Sequence, residues 1–471
     1  MVVIGGGLAG LSAAVALAEA GYRITLLEKR PFLGGRATSY LLPGGEHVDN
    51  CQHITLGCCT NLDDFYRRAG AARKIRYFDR FLFCFPDGRR GTLKSSPLPA
   101  PLHLAPSFLS FPLLGWADKI CIGRALLSMA RSGGRPKDLA AGGKSLSMLE
   151  WLNLHKQTPA ALSRFWGPVL VSALNEELAR TDARYGVDVF WKGFIANRAG
   201  YKFGVPIVTL GELYEGCRAA LTQSGGEARL RAPVRQIEIE NNHVTGVSFE
   251  SGEALQADHY VAAVPHGDLP RLLSPDVASQ PVFVNLSKLR TTPITGAHLW
   301  FDRPVMNEPY ITLLDSTTQW IFNKTLLYGS ANPEDAGAGQ HLQLVISASY
   351  GLVQRGRQEV IDECLAEVRR VLPRARDAQL AKSVLIKEAN ATFSPEPDCD
   401  QWRPAAAGAV QGLFLAGDWT ATGWPATMEG AVRSGYLAAE AVTAADGHAQ
   451  TFLRPDLPIE GLTKWIAKRP G

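Results

Sequence analysis

Residues 2–28 read VVIGGGLAGLSAAVALAEAGYRITLLE. Three apolar residues of strand character lead into Gly5, Gly7 and Gly10, which make up a G-x-G-x-x-G pattern. LSAAVALAEA then has the composition of a helix, Gly21 closes it, and ITLLE reads as a second strand that ends on Glu28. This is the βαβ context that gives the glycine pattern its meaning. The first glycine allows the tight turn, the second lets a pyrophosphate approach the backbone, and the third packs helix on strand. The helix start at Leu8 and Ala9 turns free N–H groups toward the phosphates. Glu28 is spaced to accept from a ribose hydroxyl.

The next residues, KRPFLGGRATS at 29–39, choose between dinucleotides. A nicotinamide domain needs no second glycine pair after its second strand. Gly34 and Gly35 let a loop pass close to a flavin's phosphate and ring, Arg36 adds a fixed cation suited to a diphosphate, and Lys29 joins this cofactor set. The run from Glu28 to Arg36, E-x5-G-G-R, resembles the flavin amine oxidase and phytoene desaturase superfamily. That resemblance implies FAD and an α/β fold: a Rossmann-type (GR2-like) FAD-binding domain with a discontinuous mixed α+β substrate domain.

Working outward, VRQIEIE and VTGVSFE alternate around Asn241-Asn242 and predict a hairpin, and HYVAAVP at 259–265 predicts a buried strand. By the resemblance, Val234 lies beside the adenine. TTPITGAHLWF at 291–301, further strands at 310–313 and 342–350, and a helix at 357–371 join the Trp-rich helical stretch 145–200 in a second domain. The expected division is 1–95, 205–290 and 380–445 for FAD, 96–204 and 291–379 for substrate, and 446–471 as a tail.

Residues 416–435, AGDWTATGWPATMEGAVRSG, end a short apolar run on Gly417-Asp418 and begin a helix poor in large side chains. By resemblance, Gly417 and Asp418 meet the phosphate–ribitol chain. Thr427 and Met428 start a helix whose N–H groups point at the flavin and stabilise negative charge on its reduced ring. This stretch, with DNCQHITLGCCTNLDDFYRR at 49–68, resembles the hydroxysqualene dehydroxylase family, the squalene-associated FAD-dependent desaturase-like proteins, along essentially the whole chain. The family's members usually carry Gly where Cys51 stands here.

The resemblance implies reduction of hydroxysqualene to squalene, in squalene and hopanoid biosynthesis, with electrons from an external donor through FAD. The candidate proton donors are His53 and Glu429, while Asp49 reads as structural. A carotenoid desaturase handles similar polyenes and is the alternative. An amine oxidase fits less well, because 291–301 carries no Lys and Thr427 stands where an aromatic is expected. A prenyl-binding escort that has lost flavin would not keep the glycines, Glu28 and GDWT.

Composition supports a large two-domain globular chain: 471 residues, 46% of them hydrophobic, and a net charge of +4 that does not suggest nucleic-acid binding. The eight cysteines are scattered without zinc-ligand spacing, so no metal is expected, and the reading is a cytoplasmic protein at a membrane surface. No secretory leader or spanning segment is read from the sequence. Membrane contact is expected from the greasy stretch 102–131, with Lys119, Arg124 and Arg131, and from GLTKWIAKRPG at 461–471, with Trp465, Ile466, Lys468 and Arg469.

Overall fold

The computed structural model describes residues 1–329 and 339–467. One part is a five-stranded parallel sheet in the order Glu227–Leu230, Thr25–Glu28, Val2–Ile4, Tyr260–Ala262 and Leu413–Leu415. The three strands Val2–Ile4, Tyr260–Ala262 and Leu413–Leu415 are buried along their whole length. That is why they read as unbroken apolar runs rather than as alternation. Two helices, Leu8–Glu19 and Met428–Ala445, lie against each other beside this sheet. At their crossing a Cβ on Gly435 would meet Ser12 Oγ at 2.1 Å and Ala9 O at 2.3 Å, so the small residues of the last helix let two backbones touch.

The hairpin Val234–Glu240 and His243–Phe249 turns on Asn241 and Asn242, both at positive φ (49° and 61°). Such a turn matches the twist of the strands it joins, and Asn tolerates it. A second, seven-stranded sheet runs in the order Leu380–Phe393, Thr291–Phe301, Gln340–Ser347, Trp320–Asn323, Tyr310–Leu313, Arg80–Cys84 and Arg90–Lys94. The helix Arg357–Val371 packs its apolar face on it.

This pairing corrects the expected domain boundaries. Arg80–Cys84 and Arg90–Lys94 fall in the expected FAD segment 1–95, and Leu380–Phe393 in 380–445, yet all three hydrogen-bond within the seven-stranded sheet. Local alternation marks a strand but not the sheet it joins, because its partner is far away in sequence.

A helical layer packs together from Trp116–Arg131, Met148–Leu154, Gly167–Leu174 and Ala183–Phe190. Two wide π-type turns interrupt it, at Leu162–Trp166 and Trp191–Ile195. In the greasy stretch, Ile122 and Met129 face the core, while Trp116, Ile120 and Leu127 are exposed. The short helix Thr463–Ile466 packs against it. The tail cations Lys468 and Arg469 lie outside the described residues. Among the described residues no helix is long and apolar enough to cross a membrane.

Candidate active site

One cavity of about 860 Å³ runs from the glycine turn of the first strand to the helical layer. At the glycine end Gly5 sits at φ 107°, and a Cβ there would meet Ala263 O at 2.4 Å. A Cβ on Gly10 would meet Gly5 O at 1.9 Å, so the turn and the helix start are in backbone contact. Gly34 N donates to Gly6 O at 2.8 Å, which lays the second glycine loop on the first. A Cβ on Gly7 meets only Gly35 Cα, at 3.8 Å. The space above Gly7 is therefore a cradle that a side chain would fill, next to the first turn of a helix, as a pyrophosphate requires.

The expected cofactor residues converge here: Gly5, Gly7, Leu8, Ala9, Glu28, Lys29, Gly34, Gly35, Arg36, Val234, Gly417, Asp418, Thr427 and Met428 all line this cavity. Gly10 stands behind the turn. Glu28 accepts from Gly6 N at 2.7 Å and from Arg30 N at 2.8 Å. Each carboxylate oxygen keeps a further lone pair for a ribose hydroxyl. Lys29 reaches Asp268 at 3.2 Å near the surface. Arg36 donates to Asp418 at 2.6 Å and to Ala391 O at 2.8 Å, tying the first motif to the last across the cavity. Thr427 caps the last helix, its hydroxyl accepting from Gly430 N at 3.0 Å.

Arg403 carries no sequence signal, and the sequence reading missed it. It is buried and donates to Asp418 O, Thr420 O and Trp424 O at 3.0, 2.6 and 2.8 Å, which shapes the GDWTATGW loop from behind. A buried guanidinium with this many carbonyl acceptors fixes a loop that has no regular structure of its own.

Glu429 is corrected from a candidate acid to a clamp. Its carboxylate accepts from Asn61 N, Asn61 Nδ2, Leu62 N and Arg433 Nε, at 3.2, 2.9, 2.7 and 2.9 Å. Those donors include N–H groups of the first turn of the helix Thr60–Arg68, which the carboxylate satisfies and charges favourably.

His53 lines the cavity, and its Nδ1–H donates to Cys51 O at 3.1 Å. Burial lowers its pKa against the opposing pull of that carbonyl and of Asp49. The neutral ring then offers a lone pair at Nε2. Beneath it, Lys324 Nζ lies 2.8 Å from Asp49 and 2.7 Å from Gln52 Oε1, all fully buried or nearly so. Burial would raise the Asp49 carboxyl, but Lys324, with Tyr328 and Leu210 N–H, outweighs it and brings the pKa to about 2. Asp49 is thus structural, as expected, and its partner Lys324 is a second residue the sequence did not single out. Cys51 keeps a negative φ, so no glycine is required where the resembled family usually has one.

The far end of the cavity is walled by aromatic and aliphatic side chains. Phe108, Phe165, Phe190 and Phe194 stand in series with ring centroids 5.6, 5.5 and 5.6 Å apart. Leu102, Leu126 and Leu127 complete the wall, and both Leu102 and Leu127 also reach the exposed face.

The family model described as flavin containing amine oxidoreductase matches residues 8–443. The chain belongs to the flavin containing amine oxidoreductase family. It is similar to the 15-cis-phytoene desaturase of Solanum lycopersicum, with 26% identity over 460 residues, covering 94% of this chain and 77% of that one. It is also similar to the 15-cis-phytoene desaturase of Synechococcus elongatus, with 25% identity over 468 residues, covering 95% and 96%. Among solved structures, an oxidoreductase from Methanosarcina mazei superposes with a TM-score of 0.71 at 17% identity, over 94% of this chain and 99% of that one. Putrescine oxidase bound to putrescine gives 0.66 at 17% identity, over 94% and 98%. At that identity the structural likeness speaks for the fold. As a flavin containing amine oxidoreductase, the protein is an FAD-dependent oxidoreductase. The glycine cradle, Glu28, Arg36 and the Thr427 helix start line the end of the cavity and are the residues that would hold FAD there. Among the described residues, no group of His, Cys, Asp and Glu is arranged to hold a metal ion.

Proposed function

We propose that this enzyme removes the hydroxyl of hydroxysqualene to give squalene. The observation that carries the reading is one cavity with the glycine cradle at one end and an aromatic, aliphatic wall at the other. A C30 isoprenoid needs such a wall, and the resemblance of residues 49–68 and 416–435 to hydroxysqualene dehydroxylases supports the choice of substrate. FAD, once reduced by an external donor, supplies hydride. The chain's own residues bind the hydrocarbon along the Phe108–Phe194 wall, exclude water, and deliver a proton to the leaving oxygen. The substrate hydroxyl is allylic, so its loss leaves a delocalised cation. Anaerobic incubation of photoreduced protein with hydroxysqualene tests the reading: squalene is expected, one per flavin, and recovery of unchanged substrate contradicts it.

A second reading, desaturation of a carotenoid precursor, is favoured by the names of the curated relatives. It runs electrons the other way, into oxidised flavin, so oxidised protein would convert phytoene without added reductant.

The same cavity supports a membrane-surface role. Leu102 and Leu127 lie both on its wall and on the outer face, beside exposed Leu109, Trp116, Ile120 and Trp465. A scarcely soluble substrate would pass from bilayer to cavity at this mouth. Co-sedimentation with anionic vesicles at low salt is the expected result, and protein left in the supernatant contradicts it.

A further inference from the structure

The proposed reaction needs a proton at the leaving oxygen, and neither expected donor is free to give one: Glu429 is saturated by donors, and neutral His53 spends its N–H on Cys51 O. The cavity wall offers another acid. Asp188 lines the cavity in the last turn of the helix Ala183–Phe190, just before the chain widens into the π-type turn Trp191–Ile195. An inserted residue of this kind re-aims the side chains around it, and such turns recur at functional sites.

Asp188 sits where the two ends of the cavity meet. Lys192 Nζ is 3.3 Å from its carboxyl and 4.6 Å from the centroid of the Trp424 ring, on the loop that leads to the Thr427 helix start. Trp424 and Lys192 line the same cavity. The neighbouring residue pair Phe190 and Phe194 belongs to the hydrocarbon wall. The acid is therefore placed between the cofactor cradle and the apolar wall, where a hydroxyl on a hydrocarbon would have to lie.

We propose that Asp188 is the catalytic acid that protonates the leaving hydroxyl, with Lys192 receiving the carboxylate that remains. This deepens the dehydroxylation reading and rests on it. The substrate C–O bond breaks with its electron pair going to oxygen, the Asp188 O–H bond breaks, and water leaves. Reduced FAD, held at the cradle, would supply the hydride and the two electrons that quench the allylic cation. Asp188 then regains its proton from solvent. Burial raises the Asp188 carboxyl above its ordinary range, against the pull of Lys192 and Arg184 and with a push from Asp456. Asp456 also pairs with Lys192, at 3.8 Å, and with Arg433, which pairs in turn with Glu429 and lies over the Trp424 ring.

The test is Asp188→Asn in the FAD-loaded, photoreduced protein. The expected result is unchanged flavin content and KM for hydroxysqualene, with turnover lower by about 10²- to 10⁴-fold and partly recovered in Asp188→Glu. Infrared titration of the wild-type protein supplies a reading that does not depend on turnover: a carboxyl C=O band titrating above the ordinary Asp range, lost in D188N. If D188N does not retain flavin, Asp188→Thr, which keeps an oxygen for Lys192, takes its place. Wild-type turnover in a folded, flavin-loaded variant without an acid at 188 overturns the proposal, and so does a titrating band that survives in it. If the wild-type protein itself leaves hydroxysqualene unchanged, the dehydroxylation reading fails, and with it this role for Asp188, whereas the infrared band alone still reports where the acid stands.

Discussion

At the cofactor end of the cavity a ligand meets backbone, and at the hydrocarbon end it meets side chains. The glycine turn, the Gly34-Gly35 loop and the start of the Thr427 helix expose N–H groups and leave gaps that a Cβ would close. The wall opposite is built from Phe108, Phe165, Phe190 and Phe194, which come from separate helices and turns. Backbone recognition tolerates no added atom but asks little of the surrounding side chains. Side-chain recognition yields gradually to substitution, because each hydrocarbon contact contributes a small share. The two ends are therefore expected to fail in different ways.

The largest effect is expected at Gly10→Val. Its Cβ alone would stand 1.9 Å from Gly5 O, so the turn must open and the cradle is lost. Flavin absorbance per chain should fall to the baseline of a colourless protein. A variant that still carried a full complement of FAD would break the claim that backbone contact forms this end.

Next comes the support beneath His53. Lys324→Met leaves the Asp49 carboxylate buried without its cation, and urea denaturation at neutral pH should show a loss of about 3–5 kcal/mol. The pH dependence has a defined sign. Asp49 has a folded pKa of about 2, below the value near 3.9 of an unfolded chain, so its contribution is present above pH 4 and is lost as pH falls through about 2. Replacing both partners, with Asp49→Asn and Lys324→Met, should flatten this acid limb in urea midpoints measured from pH 5 to pH 2.

A smaller effect sharpens the contrast from the other end. Leu126→Ala removes apolar surface from the wall without touching the cradle. FAD content should be unchanged, while the KM for the hydrocarbon rises about 5- to 30-fold, the equivalent of roughly 1–2 kcal/mol. The smallest change in the protein itself is expected at Trp465→Ser, since this ring is 88% exposed. Stability should stay within about 0.5 kcal/mol, and only the fraction that sediments with vesicles should drop.

The same contrast explains what could be read in the sequence. Glu28, Arg36 and the glycines are spaced by a local βαβ geometry, so their spacing carries their role. The helix Arg357–Val371 was legible because its apolar residues recur with the period of the element. Arg403 and Lys324 left no trace, since Lys324 acts on Asp49, 275 residues away, and Arg403 on an irregular loop, both through contacts that no local period encodes. Glu429 looked like an acid beside the flavin because its position in MEG was visible, whereas the Asn61 and Leu62 donors that occupy it were not. Asp188 is a single carboxylate in a helix, and only the cavity around it distinguishes it. The sheet membership of Arg80–Cys84 was hidden for the same reason, its partner Tyr310–Leu313 lying more than two hundred residues on.

The central claim is that the cradle and the apolar wall form one reaction space that delivers electrons to a hydroxylated C30 hydrocarbon. Anaerobic rapid mixing reads this from the flavin spectrum. Photoreduced protein mixed with hydroxysqualene should regain the absorbance of oxidised FAD as squalene forms, while oxidised protein mixed with phytoene should stay oxidised. Flavin that remains reduced with hydroxysqualene, or that becomes reduced by phytoene, would contradict the account.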